Sequence, residues 1–244
     1  MNEDIYTKLR EFFHSLPGGY PATDTGVEIK ILEKLYTPEE ADLTMKLKER
    51  PERVADIASR LGMNEAGLAE QLENMAQKGI IYRVREGEER LYRVYQFLVG
   101  IYEFQLKHLD REFAELFEEY LPYYGMGMAE VKTGQMRTIP LGSAIDSTTE
   151  VATYNNIREL IKDKNFISVQ NCICRKEQAL LGNECDYPKE ICLGFGDFAQ
   201  YYVDNGMGRQ IDMAETLKLL DAAEKAGLVL MPTNSQDVEA ICCC

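Results

Sequence analysis

The cysteines of this chain are confined to its C-terminal part. All seven lie between Cys172 and Cys244, and residues 1–171 contain none. Four of them form the spacing C-x-C-x10-C-x6-C, namely Cys172, Cys174, Cys185 and Cys192, and the last three are Cys242, Cys243 and Cys244. In a reducing compartment, cysteines grouped in this way are more often metal ligands or redox groups than disulfide partners. The pattern therefore predicts a cysteine-rich metal-binding domain.

Two kinds of centre fit the four spaced thiols. A [4Fe-4S] cluster needs one outer ligand on each of its four irons, and a tetrahedral zinc ion also takes four ligands. Structural zinc sites usually pair cysteines with two to four residues between them, which neither the x10 nor the x6 interval provides. Common ferredoxins place three cysteines two residues apart, which this chain also lacks. Spacing alone leaves both a 4Fe-4S cluster and zinc open as the cofactor.

The surroundings of the cysteines give further expectations. Cys172 and Cys174 would share one face of a strand end, because residues i and i+2 of a strand point to the same side. The three cysteines 242–244 are candidates for one further ligand, for a second centre, or for reactive thiols at a disordered end. Arg175 is expected either to offset thiolate charge and raise a reduction potential or to be a solvated surface residue. Both histidines, His14 and His108, lie in the cysteine-free part, so sulfur-only ligation is expected.

The N-terminal half has the pattern of a winged helix-turn-helix. Apolar residues at helical spacing predict a helix over 27–35, and Thr37 with Glu40 predicts a capping box at the start of the next. Two further helices are predicted over 51–61 and 64–79, followed by β-rich runs on either side of a glycine turn at 86–88. A long helix is then predicted over 101–120, ended by Pro122.

A glycine-rich, aperiodic segment marks the predicted domain boundary. We predict an N-terminal domain over 1–122, a linker over 123–142 and a cysteine-rich α/β domain over 143–244. In the second domain, helices are predicted over 150–162, 196–204 and 213–226, and strands over 166–169 and 228–231. The expected fold class is α+β and mainly helical.

Charge and hydropathy limit the partners. The formal net charge of −14 opposes non-specific binding to nucleic acid, and the predicted recognition helix carries Glu65, Glu70 and Glu73. The hairpin offers Arg83, Arg85, Arg90 and Arg93. DNA is therefore not an expected partner. No run of about 18 apolar residues and no signal-peptide pattern occurs, so we expect a cytoplasmic protein without a membrane partner.

Several short motifs resemble those of a known family. They are residues 100–105 (GIYEFQ), 170–175 (QNCICR), 183–186 (NECD), 191–193 (ICL), 195–196 (FG), 221–229 (DAAEKAGLV) and 233–235 (TNS). The chain resembles 4Fe-4S ferredoxin-type iron–sulfur proteins of anaerobes, in which a winged-helix-like half precedes such a cysteine domain. The resemblance implies a cluster and a role in electron transfer. Similar proteins commonly continue into a two-cluster ferredoxin domain, whereas this sequence ends at Cys244, as a natural short form or part of a longer chain.

Three hypotheses of function follow. The first is an iron–sulfur protein of electron transfer or redox coupling, whose winged helix forms a homodimer or docks a redox partner protein. The second is a redox- or metal-sensing winged-helix transcription regulator, and the third is a zinc-stabilised interaction protein. No Ser/His/Asp arrangement, P-loop or dinucleotide motif is present, so a non-catalytic role is expected.

Overall fold

The computed structural model describes residues 2–129, 133–139 and 156–244. It shows an α+β fold with two antiparallel sheets. The chain packs as two compact units, Met1–Lys132 with Glu177–Asn183, and Thr133–Lys176 with Glu184–Cys244. None of the helices in the described ranges combines the length and the apolar character needed to cross a bilayer.

The first unit is mainly helical. Its elements are α1 (Asn2–Ser15), α2 (Val27–Leu35), α3 (Pro38–Lys46), β1 (Glu52–Arg53), α4 (Val54–Leu61), α5 (Glu65–Gln77), β2 (Tyr82–Glu86), β3 (Glu89–Arg93) and α6 (Arg111–Ala129). The predicted capping box at Thr37 and Glu40 is confirmed, as is the Asn64 cap of α5. Helix α4 starts later than predicted, because Glu52 and Arg53 pair with β3.

The end of α6 differs from the prediction. Pro122 lies inside this helix and does not end it, although proline lacks the N–H of one helical hydrogen bond. Three tyrosines compensate by binding the loop after α1. The hydroxyl of Tyr120 donates to the carbonyl of Pro21, that of Tyr123 to the carboxylate of Asp24, and that of Tyr124 to the carbonyl of Gly18. The predicted start at residue 101 is also wrong, because residues 97–107 form short irregular turns.

A buried carboxyl group belongs to this unit. Glu177 is 3% exposed, and its Oε2 accepts a hydrogen bond of 2.7 Å from the hydroxyl of Tyr102. Its Oε1 has no hydrogen-bond partner within the described residues. Burial raises the pKa of Glu177 to about 6. Because the folded-state pKa is higher than the unfolded one, the unit is most stable with Glu177 protonated and loses stability as pH rises through 6.

We therefore expect unfolding to depend on pH through Glu177. The free energy of unfolding should be higher by about 1 kcal/mol at pH 5.5 than at pH 7.5, relative to Glu177→Gln, which can still accept from Tyr102. Urea denaturation of both proteins in the presence of a chelator measures the difference. Equal pH dependence in the two proteins would show that Glu177 is ionised in the fold throughout this range.

The second unit is built on a five-stranded antiparallel sheet. Its elements are α7 (Ile157–Ile161), β4 (Ile167–Asn171), α8 (Ile173–Leu180, whose last part belongs to the first unit), β5 (Glu190–Phe195), α9 (Gly196–Asp204), β6 (Gly208–Ile211), α10 (Met213–Lys225), β7 (Leu230–Pro232) and β8 (Ala240–Cys243). The strand order is β6-β4-β5-β8-β7. Of the predicted helix over 150–162, residues 150–155 lie outside the described part.

The core of this unit lies between the sheet and its helices. It contains Ile161, Val169, Leu193, Leu220 and Ile241, all at most 1% exposed. Cys172 and Cys243 belong to the same buried cluster, and Cys192 packs against it. Cys172, Cys192 and Cys243 are therefore attached to the core of this unit.

Candidate functional site

Cys172 lies at the junction of a strand and a helix. Strand β4 ends at Asn171, after a register shift between Gln170 and Asn171, and α8 begins at Ile173. The backbone N–H of Cys172 donates to the carbonyl of Lys189 at 2.8 Å, and its sulfur accepts the backbone N–H of Arg175. The side chain is only 2% exposed. Cys172 is thus a buried thiol that caps the N-terminus of α8, where a negative charge is favourable.

The expected geometry of Cys172 and Cys174 is wrong. Cys174 lies within α8, so the two residues do not share a strand face. The sequence predicts a loop after β4, and the structure has α8 at this place. Cys174 nevertheless reaches Cys172, since the two thiols are hydrogen-bonded.

The other cysteines of the site lie on neighbouring strands. Cys192 of β5 stands opposite Gln170 of β4. Leu193 pairs with Ile241, and continuing that antiparallel register by one residue brings Cys192 opposite Cys242 of β8. Cys244 extends β8, with its backbone N–H and carbonyl both bonded to Val229. The last three cysteines therefore continue the sheet, which differs from the disordered end that is one of the alternatives for them.

Alternation along β8 separates its cysteines. Cys242 and Cys244 share one face, with their sulfurs 3.3 Å apart. Cys243 points to the other face, is 1% exposed and belongs to the core. Burial raises the pKa of the Cys243 thiol to about 12, which keeps it protonated. Cys243 is therefore a core residue, whereas Cys242 and Cys244 belong to the site.

The thiols converge on Cys172 from three segments. Cys174 from α8, Cys192 from β5 and Cys244 after β8 each hydrogen-bond to its sulfur. Cys242 contacts Cys244 and acts electrostatically on Cys192. We call these five residues, Cys172, Cys174, Cys192, Cys242 and Cys244, the thiol cluster. Sequence spacing does not identify Cys242 and Cys244 as members of the cluster, because the predicted elements do not include strand β8.

Electrostatics favours one shared negative charge in the thiol cluster. Hydrogen bonds from Cys174, Cys192 and Cys244 hold the pKa of Cys172 far below its usual range, and the N–H of Arg175 adds to this effect. The hydrogen bond from Cys192 to Cys172 raises the pKa of Cys192. The pKa of Cys244 is raised by its hydrogen bonds to Cys172 and Cys242. A positive ion at this point would be attracted to the Cys172 thiolate and would release the protons of its neighbours.

Cys185 is not joined to the thiol cluster. The contacts recorded among the cluster thiols in the described ranges do not include it. Its recorded neighbour is Lys189, whose pKa is raised mainly by the hydrogen bond to Glu184 and also by Cys185. Cys185 is partly buried on the segment between α8 and β5. The structure therefore brings together three of the four cysteines that the spacing singled out.

The thiol cluster has the right donors for a metal, but the sulfurs of Cys242 and Cys244 lie closer together than two ligands of one ion do. Ligands of one tetrahedral zinc at about 2.3 Å are about 3.8 Å apart, and the thiolates of a cubane attach to separate irons. The distance between Cys242 and Cys244 is 3.3 Å. No three His, Cys, Asp or Glu side chains in the described ranges have the arrangement of a metal site. The donor chemistry fits a metal, and loading it would require the side chains to move apart.

The thiol cluster is open on one side. Cys174 and Cys244 are exposed, whereas Cys172 is buried and Cys192 and Cys242 are partly buried. A centre held here would have a protected inner edge and an outer edge at the surface. Electrons or a partner could reach that outer edge directly.

The basic residues of the N-terminal hairpin are engaged within the fold. Arg83 is 4% exposed, and both it and Arg90 pair with Glu73 of α5. The guanidinium of Arg93 lies over the rings of Tyr82 and Tyr95. Glu73 thus stabilises the hairpin and does not face outward as expected. The same pairings occupy arginines that a phosphate backbone would need.

Comparison with known proteins finds no matching protein family, no similar curated protein and no similar solved structure. Function is therefore inferred from the residues of the site.

Proposed function

We propose that the thiol cluster holds an iron–sulfur cluster and that the protein carries electrons. The observation that carries the proposal is the convergence of Cys174, Cys192 and Cys244 on Cys172. These four thiols come from a helix start and two strands of one sheet, so the fold positions them without a disulfide. Four is also the number of outer ligands that a [4Fe-4S] cluster needs.

Each ligand has a distinct role in this proposal. Cys172, buried and held by the N-terminus of α8, would be the inner ligand, and its thiolate would start metal binding. Cys192 would be held by the pairing of β5 with β4. Cys174 and Cys244 would form the exposed edge. When bound, the cluster supplies reversible one-electron transfer, and the exposed edge lets a redox partner protein approach it.

The open edge favours iron–sulfur over zinc. Structural zinc sites are closed and usually built from paired knuckles, whereas here three separate segments contribute and two thiols are exposed. A centre that exchanges electrons benefits from such an edge. The resemblance of residues 170–175 and 183–186 to ferredoxin-type proteins points in the same direction.

We further propose that the first unit is a winged helix-turn-helix used for docking or homodimerisation. Helices α4 and α5 followed by the β2–β3 hairpin, with β1 added to the sheet, match the order of such a fold. A reducing compartment such as the cytoplasm would keep the thiols available for metal.

Reversible reduction tests electron transfer directly. Anaerobically purified protein should lose part of its visible absorption on addition of dithionite and recover it on addition of a mild oxidant. The reduced form should give an electron paramagnetic resonance signal of a reduced cluster. Protein that contains iron and sulfide but is not reversibly reduced would support a bound cluster. It would refute the role as an electron carrier.

Zinc is the second candidate, because the close approach of the thiols suits a single small ion better than a cubane. A zinc-stabilised interaction protein would be colourless and would contain about one zinc per chain, the stoichiometry of a single Cys₄ site. Removal of that zinc should lower the melting temperature of the second unit. A protein that is fully stable with bound zinc and takes up no iron and sulfide would favour this candidate.

Binding to DNA tests the regulator hypothesis. Because Arg83 and Arg90 are paired with Glu73 and the net charge is −14, we expect no mobility shift with random duplex at micromolar protein. The assay should be run at about 50 mM salt, where phosphate contacts are strong. Glu73→Gln serves as the comparison, since it removes the carboxylate that pairs with both arginines. A salt-sensitive shift with the unaltered protein would make a redox-sensing regulator the better account.

A further inference from the structure

Arg175 connects the cysteine-bearing segments of the second unit. Arg175 is the residue after Cys174 in α8. Its Nη1 donates to the carbonyl of Pro188, in the segment that leads to β5. Its Nη2 donates to the carbonyl of Cys243 in β8 at 2.9 Å. The guanidinium also lies 5.7 Å from the centre of the Tyr187 ring. One side chain thus joins the three segments that supply the thiol cluster.

We propose that Arg175 is a positioning residue that fixes the C-terminal thiols beside Cys172 and sets the reduction potential of the centre. This proposal rests on the proposed function. The planar fork of arginine can bond two carbonyls on different segments at once, whereas the ammonium of lysine is a single point charge on a flexible stem. Without the fork, β8 would be held near the site only by its strand pairing.

The charge of Arg175 is also placed to act on the centre. Its recorded partners in the described ranges are backbone carbonyls and an aromatic ring, and none is a carboxylate. Among the residues that the structure describes, no ion pair therefore neutralises this charge. A fixed positive charge favours the more negative, reduced state of a cluster and so raises its potential.

Two substitutions separate the positioning role of Arg175 from the effect of its charge. Arg175→Lys keeps the charge and loses the fork, while Arg175→Gln loses both. Arg158→Gln is the matched control, because Arg158 belongs to the same unit but pairs with Asp221 and Glu224. In loaded protein, the midpoint potential should become more negative in Arg175→Gln and stay near the unaltered value in Arg175→Lys and Arg158→Gln.

A metal-free readout tests the positioning role independently. The buried thiol of Cys243 should react with iodoacetamide faster in Arg175→Lys, which keeps the positive charge near the thiol, by about tenfold for the loss of one charged hydrogen bond, and at the unaltered rate in Arg158→Gln. Equal alkylation rates in Arg175→Lys and the unaltered protein would overturn the positioning role, and equal potentials in Arg175→Gln and the unaltered protein would overturn the electrostatic role. If no protein takes up a cluster, the proposed function fails, while the alkylation result still decides whether Arg175 holds β8.

Discussion

Replacing Cys172 by alanine is expected to remove essentially all bound metal. Cys172 receives the hydrogen bonds of three other thiols, which hold its pKa below the usual range, so its loss removes the ligand around which the other thiols gather. Iron, sulfide and zinc per chain, measured after anaerobic purification, report the effect. Binding of a structural metal contributes about 10 kcal/mol or more at neutral pH, so loss of a central ligand should be visible as near-complete loss of metal.

Cys243→Ala is the matched control for this experiment. Cys172 and Cys243 are both buried, at 2% and 1% exposure, and both belong to the core of the same unit. Alanine creates a similar small cavity at each position, so general destabilisation should be alike. Metal content should remain near the unaltered level in Cys243→Ala. Equal losses in the two variants would mean that metal depends on the packing of the core and not on Cys172 as a ligand.

The second large effect concerns the fourth ligand. The structure joins Cys244 to Cys172, whereas the spacing pattern favours Cys185. We expect Cys185→Ser to keep its metal. Cys244→Ser should lose only part of it, since Cys242 lies 3.3 Å from Cys244 and can replace it. The double substitution of Cys242 and Cys244 by serine should therefore lose nearly all metal, because an incomplete thiolate set leaves the centre open to water.

The opposite result would identify Cys185 as the fourth ligand. Full metal content in the double variant, together with loss in Cys185→Ser, would establish the set Cys172, Cys174, Cys185 and Cys192. The segment between α8 and β5 would then have to carry Cys185 to the other thiols on metal binding. Protection of Cys185 from alkylation after loading would report that movement.

Local signals predicted many of the helices correctly. Thr37 and Asn64 cap α3 and α5 because their side chains satisfy backbone N–H groups within the same few residues, and such signals are visible in sequence. Gly196–Asp204 and Met213–Lys225 likewise follow from apolar spacing and flanking residues. Helix α1 was overlooked, although Tyr6, Leu9 and Phe13 recur at helical spacing and are buried.

The pairing of strands that are far apart in the chain explains the parts of the fold that the sequence does not predict. Strands β6 and β8 have only four residues each, and the pairing of β5, β6 and β8 depends on partners far along the chain, such as Leu193 with Ile241. The role of Cys242 and Cys244 depends on that register, because it brings β8 beside Cys192. Similarly, α6 continues through Pro122 because Tyr120 and Tyr124 bind residues about a hundred positions earlier. Spacing could suggest cysteine ligation, but only the sheet shows which thiols meet.

The central claim is that the thiols around Cys172 hold an iron–sulfur cluster. The most direct measurement is the content of iron, acid-labile sulfide and zinc in anaerobically purified protein, alongside Cys172→Ala. We expect iron and sulfide in equal amounts, about four of each per chain for one [4Fe-4S] cluster, with a brown colour that is absent from Cys172→Ala. Zinc without sulfide, or protein that stays free of metal after reconstitution with iron and sulfide, would contradict the claim.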